Sequence, residues 1–348
     1  MNTIVLTGGT GIFGKFIIDD LLKNNLKIVL LIRAETQKQA EDRAKNILKG
    51  YSEFADIIKI LKSDLVQDDL ELSQKDYLDL TKSTTHIIHA AASTRFTLPL
   101  NEARRNNVET TKRLLSFAGD CKNLKRFGFI STAFVAGKRS GIILEEEFEH
   151  TAGFLNTYEE SKYEAEALVK SKIKSLPIVI FRPSLIITPL QKTSNSPISA
   201  LTFGLFLARK GFLPVLPGNE NNKLDIIEGE VASQAIVQIV LKKKILHLTY
   251  HITNASNSPQ IKDLISLIED QSGKKLPIRF CGNIEEFMIE VKKTTRFRPD
   301  LVAIYKKTQS FLPELAFPKI FDNRNLLEEL EVESFSTKPL KELKALLK

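Results

Sequence analysis

The chain has 348 residues, of which 43% are hydrophobic and 26% charged, so a disordered or collagen-like chain is excluded. The net charge of +8 comes from scattered lysines, which favours a solvated surface, and nucleic-acid binding has no motif behind it. Two cysteines in no motif spacing argue against a disulfide framework or a zinc site. We therefore expect no metal site and a reducing, cytoplasmic location.

Strand-like and helix-like segments alternate over the first two thirds of the chain, which predicts a parallel sheet with helices on both faces. The predicted strands are 3–7, 26–33, 58–65, 85–91, 126–131 and 178–181. The predicted helices are 13–23, one around 40–48, 106–118 and 158–172. Beyond Pro183, prolines interrupt the pattern, and we predict a helix at 200–210, a strand at 249–253 and a helix at 261–270. No basic segment followed by an apolar one precedes the first strand, so we expect no signal peptide.

A glycine-rich turn closes the first strand and opens the first helix. Gly8, Gly11 and Gly14 are spaced for a tight turn, a close approach to pyrophosphate and close helix packing. The helix N-terminus would offer free N–H groups to the phosphates. The turn therefore predicts a dinucleotide-binding fold: α/β, with a Rossmann-type doubly wound sheet and a smaller mixed C-terminal lobe. The cofactor residues predicted in this turn are Gly8, Thr10, Gly11, Ile12, Phe13 and Gly14.

We predict an NADP-binding domain at 1–188, completed by a strand and a helix near 225–255. Residues 189–224 and 256–348 would form the substrate lobe. NAD-binding domains place an acid at the end of the second strand, but this chain has Arg33 there and reaches Glu35 two residues later. Arg33, with Arg43 in the next helix, would suit a 2′-phosphate, so NADP(H) is expected over NAD(H). Asp64 and Leu65 at the end of the third strand would meet the adenine.

A hydroxyl pair and a Tyr-x-x-x-Lys motif follow the glycine turn. Tyr158 and Lys162 lie four residues apart on one helical face, so the ammonium is expected to lower the pKa of the phenol. Ser131 and Thr132 end the fifth strand, at the carboxyl edge where such sheets bind ligands. We predict Thr132, Tyr158 and Lys162 as the catalytic set of an oxidoreductase.

These residues resemble the extended short-chain dehydrogenase/reductase superfamily, and within it the fatty acyl-coenzyme A reductase and thioester reductase branch. The matching segments are 7–14, 30–34, 64–65, 89–92 with 95–96, 107–108, 130–137, 158–166, 181–184 and, more weakly, 322–326. The resemblance implies that Asn107 supports Lys162 through a water and that His89 has a packing role. It also implies that Ala90 and Ala91 line the adenine ribose and pyrophosphate, and that Pro183 and Ser184 lie by the nicotinamide.

The expected activity is NADPH-dependent reduction of an acyl thioester, either fatty acyl-coenzyme A or a carrier-bound acyl group, to an aldehyde or alcohol. Departures from the branch at 186–189, Thr110 and 227–230 surround the substrate side and leave alternatives open. These are a ketone or aldehyde reductase, a nucleotide-sugar epimerase or dehydratase, and a non-catalytic NADP-sensing module. A homodimer is a further open expectation.

The apolar segment 198–212 carries three alternative interpretations. Its aromatic and aliphatic residues could form a wall of an acyl site, or they could simply pack a helix into the C-terminal lobe. They could instead rest on a membrane, with Arg209 and Lys210 at the headgroups. The apolar residues concerned are Phe203, Leu205, Phe206 and Leu207.

Overall fold

A computed structural model describes residues 2–188, 200–333, 335 and 339–346. Its strands in chain order are β1 (Thr3–Thr7), β2 (Lys27–Ile32), β3 (Ile58–Lys62), β4 (Thr84–His89), β5 (Arg126–Ile130), β6 (Gly141–Ile143), β7 (Ile178–Pro183), β8 (Leu185–Ile187), β9 (Val215–Pro217), β10 (Ile226–Glu228), β11 (Thr249–Ile252), β12 (Arg279–Cys281) and β13 (Lys319–Phe321). Its α-helices are α1 (Ile12–Lys23), α2 (Gln37–Ile47), α3 (Gln74–Ser83), α4 (Leu100–Arg104), α5 (Thr110–Asp120), α6 (Thr157–Ser171), α7 (Ala200–Arg209), α8 (Gly229–Leu241), α9 (Ile261–Ser272), α10 (Ile284–Phe297), α11 (Val302–Thr308), α12 (Arg324–Leu330) and α13 (Pro339–Leu346).

In the described residues, seven strands form the central sheet, in the order β11-β7-β5-β4-β1-β2-β3. Every neighbouring pair in it is parallel. The chain runs outward from β1 through β2 to β3, then returns to β4 and proceeds the other way. The strand order therefore reverses between β1 and β4, and ligands of such sheets bind beyond the carboxyl ends of the strands at that point. The predicted doubly wound fold is confirmed.

Helices cover both faces of this sheet, because strands buried on both sides carry apolar residues at almost every position. One face packs α1 and α8 against the sheet, with Ile17, Leu21 and Ile236 fully buried. The other face packs α5 and α6, with Leu114 and Ala165 fully buried. Strand β11 and helix α8 thus extend the nucleotide-binding sheet far along the chain. The division into domains stays a prediction, and residues 189–199 at its boundary lie outside the described residues.

The C-terminal part has an apolar core of its own, drawn from α7, α9, α10, α11 and α13 with short strand pairs between them. Leu205 and Leu207 of α7 are buried in that core, while Phe206 is 49% exposed. Helices α3, α4 and α10 to α13 are absent from the sequence-based prediction. Much of this region mixes charged and apolar residues without a clean period, and its helices are recognisable only from the core that they share.

Candidate active site

In the glycine turn, two backbone segments approach each other too closely to leave room for a side chain. A Cβ on Gly8, whose φ is +77°, would lie 2.5 Å from the carbonyl carbon of Ala90, and one on Gly14 would lie 2.2 Å from the oxygen of Gly8. Helix α1 begins after Gly11, which has no side chain to cap the first turn. The first N–H groups of α1 therefore remain available, and the exposed Thr10 and Ile12 leave them open to a phosphate.

The ends of β1 and β4 are tied together directly beside this turn. The backbone N–H of Ala91 donates to Thr7 Oγ1 at 3.2 Å, and Thr7 Oγ1 lies 2.7 Å from His89 Nδ1. His89 Nε2 contacts Thr111 Oγ1 at 3.1 Å. Burial, helped by the charge of Lys162, lowers the pKa of His89 to about 3. His89 is therefore a neutral residue that joins three elements, in keeping with the packing role expected for it.

The opposite end of the cleft is an open cavity of about 470 Å³ lined by both predicted arginines. Arg33 Nη1 donates to Asn106 Oδ1 at 3.2 Å, and Arg43 donates to the carbonyl oxygen of Arg33. The carboxylates of Glu35, Asp64 and Glu71 line the same cavity. Two cations and three anions thus face a common space.

Asp64 and Leu65 diverge in their surroundings. Asp64 accepts from the N–H of Val66 at 3.3 Å, which stabilises its own turn. Leu65 is 8% exposed and packs into the sheet core with Val5 and Leu31. The structure therefore brings Asp64, but not the side chain of Leu65, to the lining of the cavity.

The two hydroxyls predicted to be catalytic, those of Thr132 and Tyr158, come together beyond the end of β5. Thr132 is 4% exposed, and its Oγ1 accepts from the N–H of Phe134 at 3.3 Å. Burial raises the pKa of the Tyr158 phenol to about 12, although a hydrogen bond from the Thr132 hydroxyl favours the phenolate. The ring of Phe96 lies 5.6 Å from that of Tyr158. Tyr158 is consequently protonated at neutral pH and ready to donate.

Lys162 is bonded to the end of β5. Its Nζ donates to the carbonyl oxygen of Ile130 at 2.7 Å and lies 4.3 Å above the centre of the Phe129 ring. Burial lowers the pKa of Lys162 to about 7, against the opposing charge of Glu166. The expected lowering of the Tyr158 pKa by Lys162 is wrong for this geometry, because burial dominates and the ammonium is bound to β5.

Asn107 and Ser184 complete the predicted set. Asn107 lies in a π-helical turn between α4 and α5; its Oδ1 accepts from Ser93 N at 2.7 Å, and its Nδ2 donates to Ser161 Oγ at 2.9 Å. It therefore holds α6 directly, and a water-mediated link to Lys162 stays a prediction. Ser184 follows Pro183, the last residue of β7. Its buried hydroxyl makes no hydrogen bond among the described residues and lies beside the carboxylate of Asp225.

A nicotinamide dinucleotide fits these residues. At Gly8 and Gly14 there is no room for a side chain, which leaves the backbone free to approach a pyrophosphate. The Ser184 hydroxyl, which has no hydrogen-bond partner among the described residues, could bind the carboxamide of a nicotinamide. Within the described ranges, His, Cys, Asp and Glu side chains form no group of three that could hold a metal ion. The same ranges contain no helix that is both long and apolar enough to span a membrane.

Sequence reasoning assigned no role to the buried charges behind the site. Glu166 and Arg182 form an ion pair of 2.6 Å with both side chains at most 1% exposed, and Ser131 donates to Glu166. The spacing of Glu166, one turn beyond Lys162 on an inward helix face, is the signal that could have identified it.

The parallel sheet and the glycine turn define a dinucleotide-binding protein of the Rossmann type. The model of the male sterility protein family matches residues 6–236, and the chain belongs to that family. A fatty acyl-CoA reductase of Drosophila melanogaster, "wat", is 28% identical over 273 residues, which are 67% of this chain and 53% of that protein. Human fatty acyl-CoA reductase 1 is 26% identical over 66% of this chain and 52% of its own length. The chain spans about half the length of the curated relatives it matches.

Solved structures show the same fold. The terminal R domain of the myxalamid PKS-NRPS biosynthetic pathway superposes with a TM-score of 0.80 at 23% identity, covering 100% of this chain and 90% of that domain. A UDP-glucuronic acid 4-epimerase of Bacillus cereus, solved with NAD, has a TM-score of 0.70 at 20% identity and covers 99% and 95% of the two chains. At these identities the structural likeness concerns the fold alone.

Proposed function

We propose that this protein reduces an acyl thioester to an aldehyde or alcohol with NADPH. The observation that carries the proposal is the pair of hydroxyls, Thr132 and Tyr158, at the carboxyl edge of β5 within the cofactor cleft. The names of the matched relatives, which are fatty acyl-CoA reductases, support a thioester as the substrate.

A nicotinamide cofactor held by the glycine turn and Ser184 would supply the hydride that reduces the carbonyl carbon. Thr132 and Tyr158 donate hydrogen bonds to the carbonyl oxygen as negative charge builds on it, and Tyr158 gives it a proton. Collapse of this adduct releases a thiol, so one thioester, one NADPH and one proton yield an aldehyde, a thiol and NADP⁺. A second NADPH and proton convert the aldehyde into an alcohol. Lys162 donates one of its three ammonium protons to the carbonyl of Ile130, and another would bind the nicotinamide ribose.

The preference for NADPH rests on the two arginines of the adenosine-end cavity. Arg33 and Arg43 line it from the end of β2 and from α2, where a 2′-phosphate would place its charge. Glu35 and Asp64 line the same cavity and would favour a free ribose hydroxyl. The two guanidinium groups, each of which can bind a phosphate through two N–H donors, support NADPH. A comparison of affinities for the two cofactors tests this step.

The acyl chain is proposed to lie against α7. Phe203 is partly buried, and its ring lies 6.5 Å from that of Phe311 in the C-terminal part. Leu205 and Leu207 are buried in the core of the C-terminal part, so they do not face an acyl chain. Phe203 and Phe206 are the two aromatic residues of α7 that remain for this contact. Ile198 and Ser199, at the start of the predicted segment, lie outside the described residues.

The test is NADPH oxidation with a panel of acyl-coenzyme A esters, matched aldehydes and UDP-sugars. Oxidation with the thioesters, accompanied by release of free thiol, is the expected result. Oxidation with aldehydes alone would replace the proposal by a ketone or aldehyde reductase. Conversion of UDP-sugars without net NADPH consumption would replace it by an epimerase.

A further inference from the structure

The end of β5 is bonded to α6 twice, at consecutive residues. Lys162 Nζ donates to the carbonyl oxygen of Ile130 at 2.7 Å, and Ser131 Oγ donates to Glu166 Oε2 at 2.5 Å. Lys162 and Glu166 are one helical turn apart and share a face. Thr132 follows immediately, so these two bonds set where its hydroxyl stands relative to α6.

Glu166 is itself fixed from β7. Arg182 Nε donates to Glu166 Oε1 at 3.0 Å, and Arg182 Nη2 donates to the same oxygen at 2.6 Å. Both side chains are fully enclosed by protein, where one partner left without the other would be an uncompensated buried charge. Pro183 and Ser184 follow Arg182 directly. The ion pair therefore joins the strand that carries Thr132 to the strand that leads to Ser184.

The remaining guanidinium nitrogen of Arg182 extends the network toward the C-terminus. Nη1 donates to the carbonyls of Glu145 and Glu147 at 3.2 and 3.0 Å and lies 3.3 Å from His251 Nε2. His251 Nδ1 lies 2.7 Å from the carbonyl oxygen of Asp322. A carbonyl can only accept, so Nδ1 carries the proton and Nε2 accepts from Arg182. Burial beside Arg182 lowers the pKa of His251 to about 3, which keeps this neutral tautomer.

Two asparagines cover the open edge of β11. Asn325 Nδ2 donates to the carbonyl of Thr249 at 3.0 Å, and Asn323 Nδ2 donates to that of Thr253 at 2.9 Å. The carboxylate of Glu145 accepts the backbone N–H of Asn325 at 2.6 Å and one backbone N–H of β11 at 2.7 Å. Side chains thus satisfy an edge strand that would otherwise present unpaired backbone groups.

We propose that Glu166 and Arg182 are positioning residues that hold Thr132 and Lys162 in catalytic register. Asn323 and Asn325 anchor the outer end of this buried network. The segment 322–326, which the resemblance singled out without a role, acquires one: it secures β11 and, through Glu145 and Arg182, the strands behind the site. The kinetic consequence rests on the proposed reductase function, but the geometric consequence for Lys162 does not.

The first variant is Ser131→Ala, which removes the bond to Glu166 and leaves the ion pair intact. We expect kcat to fall about tenfold with KM within twofold, since small misplacements of reacting groups act on the chemical step. The matched control is Ser233→Ala, which removes another buried serine hydroxyl from a carboxylate, that of Asp20, between α8 and α1. The control should lose a similar amount of thermal stability and keep kcat. Equal kcat in Ser131→Ala and wild type would overturn the proposal.

A second variant, Glu166→Gln, removes the charge of the pair and leaves Arg182 buried without a counter-ion. Its expected kcat is about a hundredfold below that of wild type. The double variant E166Q/R182M removes both charges and is expected to regain folding stability without regaining kcat. Recovery of kcat together with stability in the double variant would reduce the pair to a structural role and contradict the proposal.

A readout independent of activity is the rate at which Lys162 is reductively methylated, followed by mass spectrometry on the full chain. In wild type the reaction should be slow, because Nζ is bound to Ile130 and the side chain is 3% exposed. Ser131→Ala and Glu166→Gln should accelerate it several-fold, and Ser233→Ala should not. Unchanged labelling in both variants overturns the proposal even if the protein reduces no thioester. Accelerated labelling in a protein without reductase activity supports the positioning role and counts against the proposed function alone.

Discussion

The two ends of the cofactor cleft are built in opposite ways. At the proposed catalytic edge, Lys162, Ser131, Glu166 and Arg182 are buried and bonded to protein partners. At the adenosine end, Arg33 and Arg43 are exposed and line an open cavity together with three carboxylates. The proposed reacting groups are thus fixed inside the protein, whereas the proposed cofactor-selecting groups lie at its surface.

This difference predicts how each end responds to change. A buried group has lost its water and depends on its partners, so its substitution should cost a large factor and act on turnover. A solvent-exposed cation contributes less free energy to an interaction, and its substitution should change the affinity for the cofactor rather than turnover. The following variants test that contrast, from the largest expected effect to the smallest.

Tyr158→Phe removes a donor to the developing oxyanion and should lower kcat by about 10²–10³-fold, the loss typical of one such donor. NADPH affinity, measured by fluorescence titration, should stay within about twofold because the phenol contributes to the carbonyl oxygen rather than to the cofactor. Turnover retained in Tyr158→Phe would remove Tyr158 from the catalytic set.

Gly14→Ala should lower the free energy of unfolding by about 2 kcal/mol, the cost of overpacking at a backbone contact, because its Cβ would lie 2.2 Å from the oxygen of Gly8. It should also weaken NADPH binding, since the pyrophosphate turn must open. Gly119→Ala in α5 is the matched control: its Cβ meets nothing within 4 Å, and a gain of about 0.5–1 kcal/mol is expected from helix propensity. Urea denaturation of both variants measures the contrast, and equal effects would contradict the steric account.

Arg33→Gln should raise the Kd for NADPH about tenfold, a loss typical of one charge-assisted hydrogen bond. The Kd for NADH should change little, and kcat with saturating NADPH should stay near that of wild type. Arg296→Gln, at an exposed arginine of α10, controls for loss of surface charge. A parallel loss of NADH affinity would show that Arg33 does not read the 2′-phosphate.

The smallest effect concerns pH and the buried histidine at the catalytic edge. The pKa of His89 is lowered from 6.5 to about 3 in the folded protein, so between these values the unfolded chain takes up a proton that the folded chain refuses. Folding stability should therefore fall as pH drops from 6.5 toward 3, by at most about 1.4 kcal/mol per pH unit from this residue. His89→Asn should reduce that slope in urea titrations at pH 7, 6 and 5. An unchanged slope would show that His89 takes up its proton in the folded state.

The structure could be predicted from the sequence where a function requires both particular residue types and a fixed spacing between them. The glycine turn and strands β1 to β5 and β7 follow from apolar runs and from glycines that no other residue can replace. The positions of Thr132 and Tyr158 at one edge follow from the parallel topology. The direction of Lys162 did not follow, because a carbonyl of β5 competes for its ammonium once both are buried.

Hydrogen bonds between residues far apart in the chain could not be predicted from the sequence either. Glu145 and Asn325 are 180 residues apart in the chain, and only the folded structure places the carboxylate on that N–H. The C-terminal helices were missed for a related reason, since their apolar positions become regular only against the core that they share.

The most direct test of the central claim is the stoichiometry of thiol release against NADPH oxidation with a long-chain acyl-coenzyme A ester, in wild type and Tyr158→Phe. The proposed reaction predicts one thiol per NADPH if the product is an aldehyde and one per two if it is an alcohol, with both signals falling together in the variant. NADPH oxidation without any thiol release would contradict thioester reduction.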